Sequence, residues 1–158
     1  AMGGSLETTS VDLAKRSLEK TQEQFQVNSL DVDNQRIIVM DVFNYFKYAK
    51  KKELSYDIVV LDPPSFARNK KKTFSVAKDY SKLTTEAVEL ISPKGILIAS
   101  TNAANVNYDK FKDMVQKGID GAKRSGKLLE TYRLPEDFHV SENFSEGNYL
   151  KVLMYEID

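Results

Sequence analysis

Tyr56-Asp57-Ile58-Val59-Val60-Leu61-Asp62-Pro63-Pro64-Ser65-Phe66 is the stretch on which the reading turns. Its run Ile58-Val59-Val60-Leu61 is among the longest apolar runs in the chain and is rich in β-branched residues, the composition of a buried strand. Apolar side chains on both of its faces predict a central strand, covered from two sides. The strand stops at Asp62, where two prolines fix their own φ angles and remove two backbone donors. Pro63 also pushes Asp62 toward an extended conformation. The product is a stiff loop that presents a carboxylate and bare carbonyls, with Phe66 available to stack on a flat ring. A rigid turn at a strand end explains one proline, and it explains the Asp-Pro-Pro-x-aromatic set poorly.

Outward from that loop, short apolar runs alternate with stretches of helical period, which predicts an α/β domain with a mainly parallel sheet. Upstream, Thr8 to Val11 reads as a strand ending at Asp12, and Ala14, Leu18, Thr21 and Phe25 mark a helix from Leu13 to Val27. Arg36 to Met40 reads as a strand ending at Asp41, followed by a short helix carrying Val42, Phe46 and Ala49. Downstream, Pro63 to Lys72 reads as a loop, and Val76, Tyr80, Leu83, Ala87 and Leu90 share one helix face. Ser92-Pro93-Lys94-Gly95 reads as a turn before a strand at Ile96 to Ser100. A helix with Phe111, Val115, Gly118 and Ala122 along one side follows. Leu128 to Leu134 and Tyr149 to Ile157 read as strands with no helical period between them, which predicts an antiparallel pair.

Asp12, Asp41 and Asp62 thus each follow a predicted parallel strand. In open α/β sheets the carboxyl ends of the strands line one edge, where ligands bind. A carboxylate there accepts hydrogen bonds from the vicinal hydroxyls of a ribose. Another, one strand over, reaches an adenine amino group while Val42 and Phe43 cover the ring. Taken singly, Asp12 and Asp41 serve equally well as N-caps of the helices that follow. Their repetition at three strand ends is what points to a nucleoside-like ligand.

Composition narrows the classes. A chain of 158 residues with 41% hydrophobic and 29% charged residues suits one globular domain. Lys plus Arg equals Asp plus Glu at 23 each, so a strongly basic nucleic-acid module is not indicated. No apolar run approaches the roughly 18 residues that span a bilayer, and no secretory leader pattern opens the chain. A cytoplasmic protein is the expectation. Cysteine is absent, which removes disulfides, thiolate metal sites and a cysteine nucleophile together.

At these residues the chain resembles the class I S-adenosylmethionine-dependent methyltransferases. It is more closely similar to the bacterial large-subunit ribosomal RNA methyltransferase family that includes cytosine-C5 and guanine-N2 enzymes. The carriers are Thr9-Ser10-Val11-Asp12-Leu13, Met40-Asp41-Val42-Phe43, Asp62-Pro63-Pro64-Ser65-Phe66, Ser100-Thr101-Asn102 and Glu146-Gly147-Asn148-Tyr149-Leu150-Lys151. The resemblance implies a Rossmann-like sheet, mostly parallel with an antiparallel C-terminal strand, and S-adenosylmethionine as cofactor. It implies that Asp12 with Leu13 holds the cofactor ribose and that Asp41, with Val42 and Phe43, meets adenine. It places Asp62, Pro63 and Phe66 beside the methionine and the target base.

Two departures follow. The family's glycine-rich first motif should lie some twenty residues before Asp12, on a strand between those ending at Asp12 and Asp62. Here Ala1-Met2-Gly3-Gly4 stands before the first strand and reads as a turn. The expectation is a chain truncated at its N-terminus, weak or unable in cofactor binding, that fills the gap by swapping or rearranging strands. The cytosine-C5 members also need a thiolate after the strand Ile96 to Ser100, where this chain has Thr101 and Asn102. Guanine N2, whose amine attacks the methyl group directly, is therefore favoured as the target, although Glu146 to Lys151 looks more like the cytosine branch.

Arg68, Lys70, Lys71 and Lys72, next to the motif, and Asn102 are the candidate substrate contacts. The cations either meet RNA phosphates or stay solvated. Lys47, Lys50, Lys51 and Lys52 read as a solvated helix end. His139, the single histidine, stands alone and makes no metal site. The expected partner is RNA, ribosomal RNA first, with a homodimer and an upstream RNA-recognition domain open. The competing readings are a catalytically incompetent fragment or binding module that keeps the fold, and a dinucleotide dehydrogenase. The second lacks its glycine fingerprint and has no use for Asp-Pro-Pro.

Overall fold

The computed structural model describes residues 1–33, 35–68, 73–141, 143–144 and 147–158. The chain divides into two compact units, Ala1–Lys52 and Glu53–Asp158.

The first unit runs β1 (Thr8–Asp12), α1 (Lys15–Val27), β2 (Gln35–Val39), α2 (Val42–Lys51). β1 and β2 pair in parallel, with Thr8 opposite Gln35 and Asp12 opposite Val39. The leading glycines form a turn in which the Gly4 N–H donates to Ala1 O at 3.0 Å, with Gly4 at a φ of 87° that suits glycine. The apolar stripe of α1 is only half-buried, and none of its side chains is fully buried. α2 buries Tyr45, Phe46 and Ala49 and ends on Lys50 and Lys51, cations at the negative end of the helix dipole.

The second unit runs β3 (Tyr56–Leu61), β4 (Phe66–Arg68), β5 (Thr73–Ser75), α3 (Val76–Val88), β6 (Ile91–Thr101), α4 (Tyr108–Gly121), β7 (Gly126–Tyr132), β8 (Lys151–Ile157). Its main sheet has the order β3-β6-β8-β7. β3 and β6 are parallel, and β8 pairs antiparallel with both β6 and β7, as the missing helical period between the last two strands requires. One sheet face, with Leu97, Ala99, Leu153, Tyr155 and Ile157, is buried. α3 and α4 pack on each other at Gly118, whose missing Cβ leaves room for Thr84; an added Cβ would lie 2.4 Å from Thr84 Cβ. Tyr80 and Phe111 meet edge-on across that pair, ring centroids 4.9 Å apart.

Three expectations are corrected. β3 is not central in its sheet: it is the edge strand, paired with β6 alone among the described residues. Nor is it covered on both faces, because Ile58 and Val60 are 59% and 61% exposed. In register they stand beside the half-buried Ile96 and Ile98 on the face opposite the buried one. Apolar content shows that a strand tolerates two-sided burial, and the sheet order decides whether it has it. The turn at Ser92–Gly95 is a bulge inside a longer β6, because Tyr56 pairs with Ile91 and Ile58 already with Ile96. Lys94 at the bulge takes a positive φ of 64°. The loop after Pro63 contains the antiparallel strands β4 and β5, with Phe66 opposite Ser75.

Candidate active site

Each strand-end acid does local work. Asp12 Oδ1 accepts from the Ala14 N–H and Oδ2 from the Ser17 hydroxyl, both at 2.8 Å. Those bonds, the backbone one first, hold its carboxyl below the usual carboxylate range. Asp41 is the N-cap of α2, its Oδ1 accepting from the N–H groups of Phe43 at 3.1 Å and Asn44 at 3.3 Å. The capping role weighed for both acids is therefore real for Asp41 alone: the N-cap of α1 is Ala14, two residues after Asp12, and carries no side-chain cap bond. These bonds do not exhaust either acid, because a carboxylate has about four lone-pair positions. Leu13 is exposed, Val42 and Phe43 are half-buried, and Phe43 packs edge-on to Phe46 with centroids 6.3 Å apart. A hollow of about 490 Å³ opens beside Asp12, lined also by Ser17, Lys20, Thr21, Gln24 and Phe25. It runs along α1.

Asp62, in the second unit, is held differently. Its Oδ1 accepts from the Ser100 hydroxyl at 2.5 Å, from the end of the neighbouring parallel strand. Three residues on, the Ser65 hydroxyl donates to Asn102 Oδ1 at 2.7 Å. Two side-chain bonds thus tie the double-proline loop to the end of β6 and place the exposed Asp62, Ser65 and Asn102 in one cluster around the buried Ser100. Phe66 opens β4 and is 62% exposed. Arg68 ends β4, while Lys70, Lys71 and Lys72 lie outside the described residues. His139 is exposed, and the described residues contain no group of His, Asp or Glu able to hold a metal ion. No helix among them is long and apolar enough to cross a membrane.

Two buried donors sit behind the cluster. The Tyr80 hydroxyl donates to Ser100 O at 2.8 Å and lies 3.2 Å from Leu61 O. Burial pushes its ionisation up, and the nearby charge of Asp62 adds to the effect. The Lys151 ammonium donates to Tyr149 O at 2.7 Å and Ala103 O at 3.1 Å. Burial, then the charge of Arg133, pushes its pKa down. Periodicity puts Tyr80 on the apolar face of a helix and gives Ser65, Ser100 and Lys151 no role. A signal for Lys151 was present: alternation in Lys151-Val152-Leu153-Met154-Tyr155-Glu156-Ile157 puts it on the face of Leu153, Tyr155 and Ile157, all buried.

Residues 1–145 match the model of a family described as S-adenosylmethionine-dependent methyltransferase. YwbD of Bacillus subtilis (strain 168), named provisionally as a ribosomal RNA large subunit methyltransferase, is 51% identical over 98% of this chain and 39% of its own length. Ribosomal RNA large subunit methyltransferase I of Aeromonas salmonicida (strain A449) is 29% identical over 96% of this chain and 38% of its own length. The chain therefore spans about two fifths of the length of these curated relatives. Among solved structures, SMU.776, crystallised with SAH, is 49% identical with a TM-score of 0.91, covering 98% of this chain and 40% of that one.

Proposed function

The chain belongs to the S-adenosylmethionine-dependent methyltransferases, and from that premise we propose that it acts, as one domain, in the methylation of a ribosomal RNA base in the cytoplasm. Guanine N2 is the favoured position. The observation that carries the reading is Asp62, exposed at the end of a parallel strand and oriented by Ser100 within a loop that two prolines stiffen. RNA as substrate is supported by the names of the relatives.

The donor set fits the cofactor. Asp12 keeps lone pairs for the ribose hydroxyls beyond its bonds to Ala14 and Ser17, with Leu13 exposed next to it. Asp41, Val42 and Phe43 take the adenine. The cofactor supplies an electrophilic methyl group on a sulfonium. The chain's own residues place the acceptor: Asp62 and the Pro63 carbonyl accept from the exocyclic amine and orient its lone pair, and Phe66 stacks on the base. Asn102 spends Oδ1 on Ser65 and offers its amide hydrogens to the substrate. Rate then comes mainly from orienting the bound amine. Arg68, Lys70, Lys71 and Lys72 supply phosphate contacts. Chemistry through a cysteine adduct has no nucleophile in this chain, which carries no cysteine.

The test is tritium transfer from labelled S-adenosylmethionine to ribosomal RNA, followed by nucleoside analysis. Expected is N2-methylguanosine, with transfer reduced about 10²-fold or more in Asp62→Asn at unchanged thermal midpoint. Labelled 5-methylcytidine overturns the choice of base, and full activity in Asp62→Asn overturns the site. A second reading, a module that keeps the fold without turnover, is favoured by the exposure of Ile58 and Val60 directly before the motif loop. Calorimetry separates the two: micromolar binding of S-adenosylmethionine by the 158-residue chain excludes the second.

A further inference from the structure

We infer that Tyr80 and Lys151 are positioning residues, two buried donors that fix the backbone on either side of the Asp62–Ser100–Asn102 cluster and thereby its turnover; the inference rests on reading that cluster as the reacting edge.

Tyr80 lies fully buried on α3, and its single hydroxyl proton is shared between two carbonyls. Both belong to strand ends that carry the site. Leu61 is the last residue of β3 and precedes Asp62; Ser100 donates its own side chain to Asp62 and is followed by Thr101 and Asn102. The shorter bond, to Ser100 O, is the stronger share. One hydroxyl therefore spans the C-terminal ends of two neighbouring parallel strands, at the point where each gives a residue to the cluster. The ring is braced by Phe111, so the hydroxyl has a fixed origin.

Lys151 acts from the other side. It stands opposite Thr101 in the β6–β8 register and is 4% exposed. Its ammonium grips Ala103 O, one residue beyond Asn102, and Tyr149 O. A methionine would fill the same stem volume without the cost of desolvating a charge. What the ammonium adds is direction: it aims the Ala103 carbonyl inward and so sets the path of Thr101-Asn102-Ala103. The segment from Ser100 to Ala103 is thus pinned at both ends by buried donors, with Asn102 between the pins.

The experiment compares Tyr80→Phe, Lys151→Met and Lys151→Arg with the unmodified protein in methyl transfer to ribosomal RNA. Each of the first two is expected to lower kcat about 10-fold or more, while KM for S-adenosylmethionine stays within about twofold. Lys151→Arg, which keeps donors, is expected to restore part of the loss. Folded variants with unchanged kcat overturn the inference, as does a kcat that falls only in proportion to the folded fraction. If Tyr80→Phe does not fold, the lysine pair carries the test; failure of both Tyr80→Phe and Lys151→Met to fold makes the residues structural and overturns it. If the unmodified protein transfers no methyl group, the function proposed above fails separately. The carboxyl ¹³C resonance of Asp62 and the side-chain amide of Asn102 then decide: a shift in Tyr80→Phe supports the inference, and unmoved resonances overturn it.

Discussion

The two units hold their acids by opposite means. In the first, Asp12 and Asp41 are oriented by donors within five residues of themselves, at the starts of α1 and α2. In the second, Asp62 takes its partner from 38 residues away and Ser65 from 37. The packing differs in the same direction. α1 has no buried residue and α2 has three, whereas α3 and α4 bury eleven between them. Acids placed by local turns need little core beneath them. An acid that must meet a residue from a distant strand needs two strands and a helix in fixed register, and the second unit supplies them.

The comparison breaks most visibly at the core of the second unit. Phe111, fully buried, braces the Tyr80 ring that stands behind the cluster. Phe111→Ala is expected to cost about 3–5 kcal/mol in denaturant unfolding, with the Asp62–Ser100 contact loosened in step. A cost below about 1 kcal/mol would mean that the site does not depend on this packing. Asp41→Ala probes the local mode and should cost less, about 1 kcal/mol, because it removes one cap. Hydrogen exchange at the Phe43 and Asn44 amides is the measurement, and those two should speed up before the rest of α2. Equal exchange in the variant and the parent would deny Asp41 its capping role.

The same contrast explains what could be read without coordinates. The strands before Asp12, Asp41 and Asp62 and the helices behind them follow from periodicity and short-range chemistry, and they lie where the spacing puts them. The pairing of Asp62 with Ser100 does not follow from spacing, since it depends on β3 and β6 being neighbours in register. The exposure of Ile58 and Val60 was also invisible, because the strand's composition is the same at a sheet edge as at its centre. The bulge at Ser92–Gly95 looks like a turn in sequence because both use a residue at positive φ, here Lys94. Strand alternation puts Lys151 on a buried face, but its partners are backbone carbonyls, which sequence does not single out.

The smallest expected effect tests the local mode at its most exposed point. Asp12 is held below the ordinary aspartate value of 3.8 by the Ala14 N–H and the Ser17 hydroxyl. A carboxyl depressed in the folded state stabilises that state above its ordinary value, and the contribution is lost as pH falls through the folded value. Protection of the Ala14 amide should therefore fade only below pH 3.8, and a ¹³C titration of the Asp12 carboxyl should show its midpoint beneath that of a solvated aspartate. Ser17→Ala removes one donor and leaves the other, so it should move the midpoint part of the way back. A midpoint that ignores Ser17 would assign the depression to the backbone alone. Asp12 would then be an acid fixed by the Ala14 N–H, with Oδ2 keeping lone pairs for a ribose in the variant and the parent alike.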